Sequence, residues 1–125
     1  MSDVKVVRLE EDAVDLPLAP GGGRVRALLR PEISRERSLL YVELPAACAS
    51  ADLRHPHEAV YYVVRGNGQV VDTDTGAAHP VRDGLMVYLT PGQGYRLVGP
   101  AIFIGGPCPL DPALFDRPNQ EERRS

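Results

Sequence analysis

The feature that most constrains this chain is a series of short segments rich in β-branched and aromatic residues, separated by turn residues. The clearest segment, 59–65 (AVYYVVR), is followed at once by Gly66-Asn67-Gly68, which is typical of a tight hairpin turn. Turn signals recur roughly every 8 to 12 residues, and no stretch has the periodicity of a long amphipathic helix. The pattern predicts an all-β sandwich or barrel with strands at 4–9, 24–30, 38–44, 59–65, 69–73, 77–81, 85–89, 95–98 and 101–104.

The length of 125 residues is that of one domain. A chain of this size buries roughly two thirds of its unfolded surface, so one hydrophobic core is expected. We assign residues 1–117 to the domain, including the N-terminal strand, and expect a helical turn near 112–115. The charged run 118–125 is predicted to be a disordered tail.

Composition excludes several classes of partner. The formal net charge is −3 and no basic patch is present, which argues against nucleic acid and against an anionic membrane surface. Two cysteines do not make a disulfide framework, and the N-terminus lacks the apolar segment of a secretory signal. No apolar run approaches the roughly 20 residues that span a bilayer. We therefore expect a cytoplasmic protein whose partner is a small polar molecule.

Two runs resemble the motifs of the cupin family. The run LPAACASADLRHPHEAVYYVVRGNGQV resembles the first motif, which is Gly, five residues, His-x-His, three or four residues, Glu, six residues and Gly. The run GLMVYLTPGQGYRL resembles the second motif, which is Gly, five residues, Pro-x-Gly, two residues and His. The resemblance covers 44–97 and implies a cupin double-stranded β-helix, also called a jelly-roll barrel, in a single domain.

The register of the first motif decides which residues take the family's four metal-ligand positions. Anchoring the motif on 44–45 and Gly66 retains one ligand, His55, because the four positions fall on Leu53, His55, Ala59 and Tyr95. Sliding the motif by two residues, with Gly68 as the anchor, retains two ligands, because its positions fall on His55, His57, Tyr61 and Tyr95. The first register is favoured because it also matches the upstream anchor. In either register the metal site usual in the family is largely lost.

A lost metal site leaves three kinds of function open. Metal-free chemistry would use His and Tyr side chains for proton transfer inside the barrel, and strand parity points Tyr61 inward with Tyr62 on the opposite face. A metal-dependent oxygenase or hydrolase would use iron or zinc with His55 and His57 as first ligands and Glu43 as a possible third. A non-catalytic small-molecule-binding protein is the remaining alternative.

The resemblance implies relatives such as metal-free sugar-nucleotide isomerases and epimerases, and dehydratases and cyclases of antibiotic pathways. The leading hypothesis is a metal-independent lyase or isomerase without a cofactor, of the dehydratase, ketoisomerase or cyclase type. Its predicted catalytic residues are His55, His57, Tyr61 and Tyr95. Its predicted substrate-binding residues are Tyr41, Glu43, Tyr88 and Arg26. The resemblance also allows a homodimer formed through sheet edges or through the N-terminal segment 4–9.

Overall fold

The computed structural model describes residues 4–116 and shows an antiparallel β structure with one short helix. The predicted all-β class is therefore confirmed. Within the described residues the strands are β1 (Val14–Leu16), β2 (Arg24–Ala27), β3 (Leu40–Leu44), β4 (Ala59–Asp72), β5 (Ala78–Arg82), β6 (Met86–Leu89), β7 (Tyr95–Val98) and β8 (Ala101–Pro107), and the helix is α1 (Ala113–Asp116).

The long strand β4 joins two sheets. Its N-terminal half lies between β8 and β6 in the first sheet, whose order is β1-β2-β3-β8-β4-β6. Its C-terminal half lies between β5 and β7 in the second sheet. Apolar side chains from both sheets alternate with outward-facing ones and form one buried core between the sheets. The strand parity predicted at Tyr61 is confirmed, because Tyr61 and Val63 are fully buried while Tyr62 is half exposed.

The predicted hairpin at Gly66-Asn67-Gly68 is wrong, because β4 runs straight through it. The strand changes register at a bulge between Val63 and Arg65 and then passes from one sheet to the other. Gly66 has a φ of 106°, and a Cβ there would collide with the carbonyl oxygen of Pro100. A Cβ on Gly68 would likewise collide with the carbonyl oxygen of Val98. These glycines allow close approach of neighbouring backbone instead of a chain reversal.

The predictions made for the two ends of the chain have different outcomes. The predicted strand at 4–9 is wrong: this segment has no regular structure, and the side chains of Val4 and Val6 are exposed. A strand needs a partner and a buried face, and β1 instead begins at Val14. The predicted helical turn near 112–115 is present as α1. The predicted disordered tail, 118–125, lies outside the described residues. Among the described residues, no helix combines the length and the apolar character needed to cross a bilayer.

Candidate functional site

Four buried side chains form one continuous chain of hydrogen bonds inside the barrel. His55 Nδ1 lies 2.7 Å from Asp111 Oδ2, and His55 Nε2 lies 2.7 Å from the Tyr95 hydroxyl. The Tyr95 hydroxyl lies 2.7 Å from the hydroxyl of Tyr61. All four residues are buried, and Tyr61 and Tyr95 have no solvent exposure. We call Asp111, His55, Tyr95 and Tyr61 the buried relay.

Sheet geometry places three members of the relay. Leu53 and Tyr95 exchange both backbone hydrogen bonds at 2.8 Å, so the segment before β4 lies beside the start of β7. His55 is two residues beyond Leu53 and therefore faces the same side, towards the barrel interior. Its backbone carbonyl accepts a hydrogen bond from the backbone N–H of Gly92 at 2.9 Å. Tyr61 reaches the same point from β4, and its ring packs beside that of Tyr95 with a centroid distance of 5.8 Å.

Asp111 joins the relay from the segment that follows β8. Its Oδ1 accepts a hydrogen bond from the backbone N–H of Ala113 at 3.0 Å, so Asp111 caps the start of α1. Leu114 on the same helix is buried in the core, which holds the segment against the barrel. One carboxylate thus fixes the helix start with one oxygen and the imidazole with the other.

The hydrogen bonds define the protonation of the relay. An ionised carboxylate only accepts, so His55 Nδ1 carries the proton and Nε2 is left as an acceptor. The Tyr95 hydroxyl therefore donates to Nε2, and the Tyr61 hydroxyl donates to the oxygen of Tyr95. Burial lowers the pKa of His55 below 6.5, an effect that Asp111 partly offsets, so the imidazole is neutral at pH 7.

Both tyrosine hydroxyls are held in the protonated form. Burial raises the pKa of Tyr61 well above its ordinary value, because a phenolate would lose its hydration. Burial also raises the pKa of Tyr95, and the neighbouring Tyr61 adds to the effect. At rest the relay therefore holds two phenols as donors and one neutral imidazole as the acceptor.

The structure brings together three of the four predicted catalytic residues. His55, Tyr61 and Tyr95 meet, but the prediction that His57 shares their cavity is wrong, because His57 is exposed. The chain bends at 56–57, so the two-residue parity that would have aligned both histidines is broken. All four positions of the favoured register (Leu53, His55, Ala59 and Tyr95) are buried.

Sequence reasoning missed Asp111, the fourth member of the relay. The available signal was Asp111-Pro112 before a short helical segment, because Asp is a preferred N-cap and Pro is favoured at the first helical position. That signal places the carboxylate at a helix start. It does not show that the helix start lies over His55.

Three of the predicted substrate-binding residues lie on the outer face of the first sheet, away from the relay. The Arg26 guanidinium is buried there, where it pairs with Glu10 at 3.1 Å and with Glu43 and lies 5.6 Å from the ring centre of Tyr41. Val25 and Val42 on the same strands face the core, so their neighbours must face outward. Arg26, Tyr41 and Glu43 therefore lie on the face turned away from the buried relay, and their predicted role in substrate binding stays a prediction.

The fourth predicted substrate-binding residue, Tyr88, lies at the rim of a cleft between β5 and β6. Its hydroxyl donates to Glu58 at 3.0 Å, and its ring is half exposed. The cleft has a volume of about 400 Å³, and its lining is mostly apolar with Asp72, His79, Tyr88 and Gln93 as polar members. Val87 in its wall is opposite Tyr61 in the strand ladder, and Asp72 is opposite Tyr95. The cleft therefore lies one layer of side chains from the relay.

The donors of the relay do not fit a metal ion of the kind usual in the fold. Both nitrogens of His55 already bond to protein groups, and the one carboxylate lies on the far side of the imidazole from the tyrosines. Catalytic zinc takes about three protein ligands, and non-haem iron takes two His and a carboxylate. Across residues 4–116, no three His, Cys, Asp or Glu side chains come together as such a group.

Solved structures with the same architecture identify the fold. A cupin-like protein from Thermotoga maritima matches with a TM-score of 0.67 at 17% identity, over 98% of this chain and 96% of that one. The polyketide cyclase RemF from Streptomyces resistomycificus matches with a TM-score of 0.66 at 19% identity, over 84% and 80%. Ectoine synthase from P. lautus matches with a TM-score of 0.66 at 21% identity, over 90% and 84%.

The chain therefore has the cupin fold, a double-stranded β-helix, with degenerate metal-ligand motifs. No protein-family profile matches the sequence. No curated protein is significantly similar to it either.

Proposed function

We propose that this protein is a metal-independent lyase or isomerase that moves protons on a small molecule through the buried relay. The observation that carries the proposal is the unbroken sequence of 2.7 Å hydrogen bonds from Asp111 through His55 and Tyr95 to Tyr61. A neutral imidazole oriented by a carboxylate is the arrangement of a general base, because the carboxylate fixes the tautomer and stabilises the imidazolium that forms. Structural neighbours that are named as a cyclase and a synthase support an enzyme of this fold.

The relay moves a proton without a free tyrosinate at rest. Tyr95 takes a proton from an acidic C–H of the substrate while its own hydroxyl proton passes to Nε2 of His55. Asp111 stabilises the resulting imidazolium. The Tyr61 hydroxyl donates to the carbonyl oxygen of the substrate, which gains negative charge when the C–H proton leaves. The reverse transfer then delivers the proton to a neighbouring carbon, which isomerises the substrate, or to a leaving hydroxyl, which eliminates water. Each positioned acid or base of this type contributes roughly 10²- to 10⁴-fold in rate.

The cleft between β5 and β6 is the proposed approach for the substrate. Its apolar wall includes Val87, next to Tyr61 in the sheet, while Asp72 and Gln93 provide polar contacts. The wall separates the cleft from the relay, so binding must displace Val87 or its neighbour Leu89. A small molecule with an apolar body and a carbonyl group beside an acidic C–H fits both the cleft lining and the relay chemistry.

Hydrogen–deuterium exchange tests the proposal without knowledge of the full reaction. The protein, treated with a chelator, is incubated in D₂O with a panel of 2-hydroxy ketones and 1,3-dicarbonyl compounds, and loss of the C–H signal is followed by proton NMR. We expect exchange above the buffer rate that falls at least roughly tenfold in His55→Gln and is unchanged in His57→Gln, the exposed control. Equal exchange in wild type and His55→Gln, or loss of exchange after removal of metal, would contradict it.

A second candidate function, small-molecule binding without turnover, is favoured by one observation. Tyr61 and Tyr95 have no exposure to solvent. A fully satisfied buried network of this kind can have a purely structural role, in which it specifies the packing of the core without taking part in catalysis. This alternative predicts that panel compounds raise the melting temperature or shift the amide signals of β5 and β6 without any exchange of their C–H protons.

A further inference from the structure

The polar groups that line the cleft between β5 and β6 are mostly hydrogen-bond acceptors. The polar members of the lining are Asp72, His79, Tyr88 and Gln93. The hydroxyl of Tyr88 donates its proton to Glu58, so only its oxygen is left for a ligand. The side-chain amide of Gln93 donates to Asp72 at 2.9 Å and to the carbonyl of Gly94 at 2.8 Å, so its oxygen is left as an acceptor. Among the described residues the lining includes no arginine or lysine, and the imidazole of His79 is its one remaining donor.

Asp72 holds one carboxylate oxygen ready for a ligand beside the relay. Its Oδ1 accepts hydrogen bonds from the backbone N–H groups of Asp74 at 2.8 Å and Thr75 at 3.1 Å and from the amide of Gln93, which fixes the carboxylate. Its Oδ2 has no hydrogen-bond partner within residues 4–116. Partial desolvation raises the pKa of Asp72, but these hydrogen bonds outweigh it and lower that pKa, so the group is ionised at pH 7. Asp72 is directly opposite Tyr95 in the β4–β7 ladder, and paired residues point to the same face of a sheet.

The charges around the cleft favour a cation over an anion. Arg54 and Asp74 form an ion pair next to the cleft, so their charges compensate each other. Asp72 in the lining and Glu58 at the rim form no ion pair in the part of the chain that the structure describes. Apolar walls strengthen the field of the charges that a cleft holds, so these two carboxylates attract a positive group. The half-exposed ring of Tyr88 adds a π-face of the kind that binds cations.

We propose that the substrate of the relay carries a protonated amine, which the carboxylate of Asp72 binds in the cleft. The inference rests on the proposed function and narrows its substrate to amino ketones and related amino carbonyl compounds. An ammonium group has three N–H donors and no acceptor, so it matches a lining that offers Asp72 Oδ2 and the amide oxygen of Gln93. Because Asp72 is paired with Tyr95, an amine bound there lies only a few bonds from a C–H that reaches the relay. Phosphorylated and carboxylated compounds do not fit this cleft.

Three probes with the same apolar body and different charge test the amine site directly. Benzylamine, benzyl alcohol and benzoate are titrated at pH 7 into nitrogen-15-labelled protein, and the amide signals of β5 and β6 are followed by NMR. We expect benzylamine, which is protonated, to bind at least roughly tenfold more tightly than benzyl alcohol, and benzoate to bind most weakly. Asp72→Asn keeps the oxygen that anchors the turn at 74–75 but replaces Oδ2 with a donor, so this preference should disappear. Asp15→Asn, at an exposed carboxylate paired with Arg24, is the matched control and should keep it.

Exchange of C–H protons in aminoacetone and hydroxyacetone separates this inference from the proposed function. The two ketones differ in one ammonium or hydroxyl group, and each rate in D₂O is compared with the buffer rate of the same compound. We expect an enhancement at least roughly tenfold larger for aminoacetone in the wild type and equal enhancements in Asp72→Asn, whose folding is checked by circular dichroism and melting temperature. Equal binding of benzylamine and benzyl alcohol, or a preference for the amine that persists in folded Asp72→Asn, would overturn the inference even if ketones exchange. Preferential binding of the amine without exchange of any compound would support the amine site and contradict the proposed function.

Discussion

The imidazole of His55 and the carboxylate of Asp111 are 56 positions apart in the chain and 2.7 Å apart in the structure. The contact forms because the segment after β8 is held by backbone hydrogen bonds from Cys108 to Glu58 and from Leu110 to Arg35, and it then enters a short helix that Asp111 itself caps. Helix capping and imidazole orientation thus depend on the same side chain. The position of the relay's base is therefore coupled to the docking of the C-terminal segment.

Asp111→Asn should destabilise the protein and should no longer fix the tautomer of His55. The amide retains the shape but loses the charge, so a charge-assisted hydrogen bond becomes a neutral one, at a cost of about 1–2 kcal/mol in the free energy of unfolding. An amide can also donate, which permits a proton on Nε2. Denaturant unfolding measures the first effect and nitrogen-15 NMR of the imidazole measures the second. Asp83→Asn, at an exposed turn, is the control, and an unchanged Nδ1–H tautomer with unchanged stability in Asp111→Asn would contradict the argument.

Local pattern predicted the strands and the inward direction of Tyr61 because both depend on neighbours in sequence. Eight predicted strands overlap seven observed ones, because the segments 59–65 and 69–73 merge into β4. The same two-residue parity, applied from the buried Val25, places Arg26 on the outer face, as the structure shows. The hairpin at 66–68 was predicted wrongly because Gly66 suits a turn and a close backbone contact equally well.

The relay was only partly predictable for a physical reason. Motif register and parity place His55, Tyr61 and Tyr95 at one level of the barrel, since strand pairing repeats regularly. The position of Asp111 depends on how an irregular segment packs after the last strand. The exposure of His57 depends on a bend at 56–57 that no two-residue pattern encodes.

The two tyrosines should differ in their contributions to stability. Tyr95→Phe leaves both Nε2 of His55 and the hydroxyl of Tyr61 buried without a partner, so we expect a loss of about 2–4 kcal/mol. Tyr61→Phe removes only the end of the relay, because Tyr95 still donates to His55, and should cost about 0.5–1.5 kcal/mol.

The double variant provides the sharper measurement. Tyr61→Phe removes the hydroxyl that Tyr95→Phe would orphan, so the double variant should lose less stability than the sum of the two single variants. A double-mutant cycle by denaturant unfolding measures this coupling. Additive losses, or a larger loss in Tyr61→Phe than in Tyr95→Phe, would contradict the proposed hydrogen bonds, in which Tyr61 donates to Tyr95 and Tyr95 donates to His55.

The free energy of unfolding should decrease as the pH falls below about 6.5. Burial lowers the pKa of His55 in the folded state, whereas the unfolded chain has the ordinary value of 6.5. Between these two pKa values the unfolded state binds a proton that the folded state does not, so acid favours unfolding, by at most about 1.4 kcal/mol per pH unit. Above 6.5 both states are neutral and this dependence disappears.

Denaturant unfolding from pH 5 to 8 in wild type and His55→Gln isolates the contribution of that residue. The difference between their stabilities should change with pH below about 6.5 and become constant above it. His57→Gln, which changes an exposed histidine two residues away, should follow the wild type. A His55→Gln variant with the same pH profile as the wild type would mean that burial does not perturb this imidazole.

Gly66→Ala should destabilise the protein more than Gly76→Ala, although both glycines have positive φ angles, of 106° and 83°. The left-handed region costs a non-glycine residue about 1–2 kcal/mol, and that is the whole cost at Gly76, where no atom lies within 4 Å of an added Cβ. At Gly66 the added Cβ also meets the carbonyl of Pro100, so β4 and β8 must separate where β4 crosses between the sheets. Thermal unfolding of the two variants measures the difference directly. Equal losses would indicate a loose turn at 66–68, as the local sequence suggests, whereas a clearly larger loss at Gly66 supports one continuous strand held against 100–101.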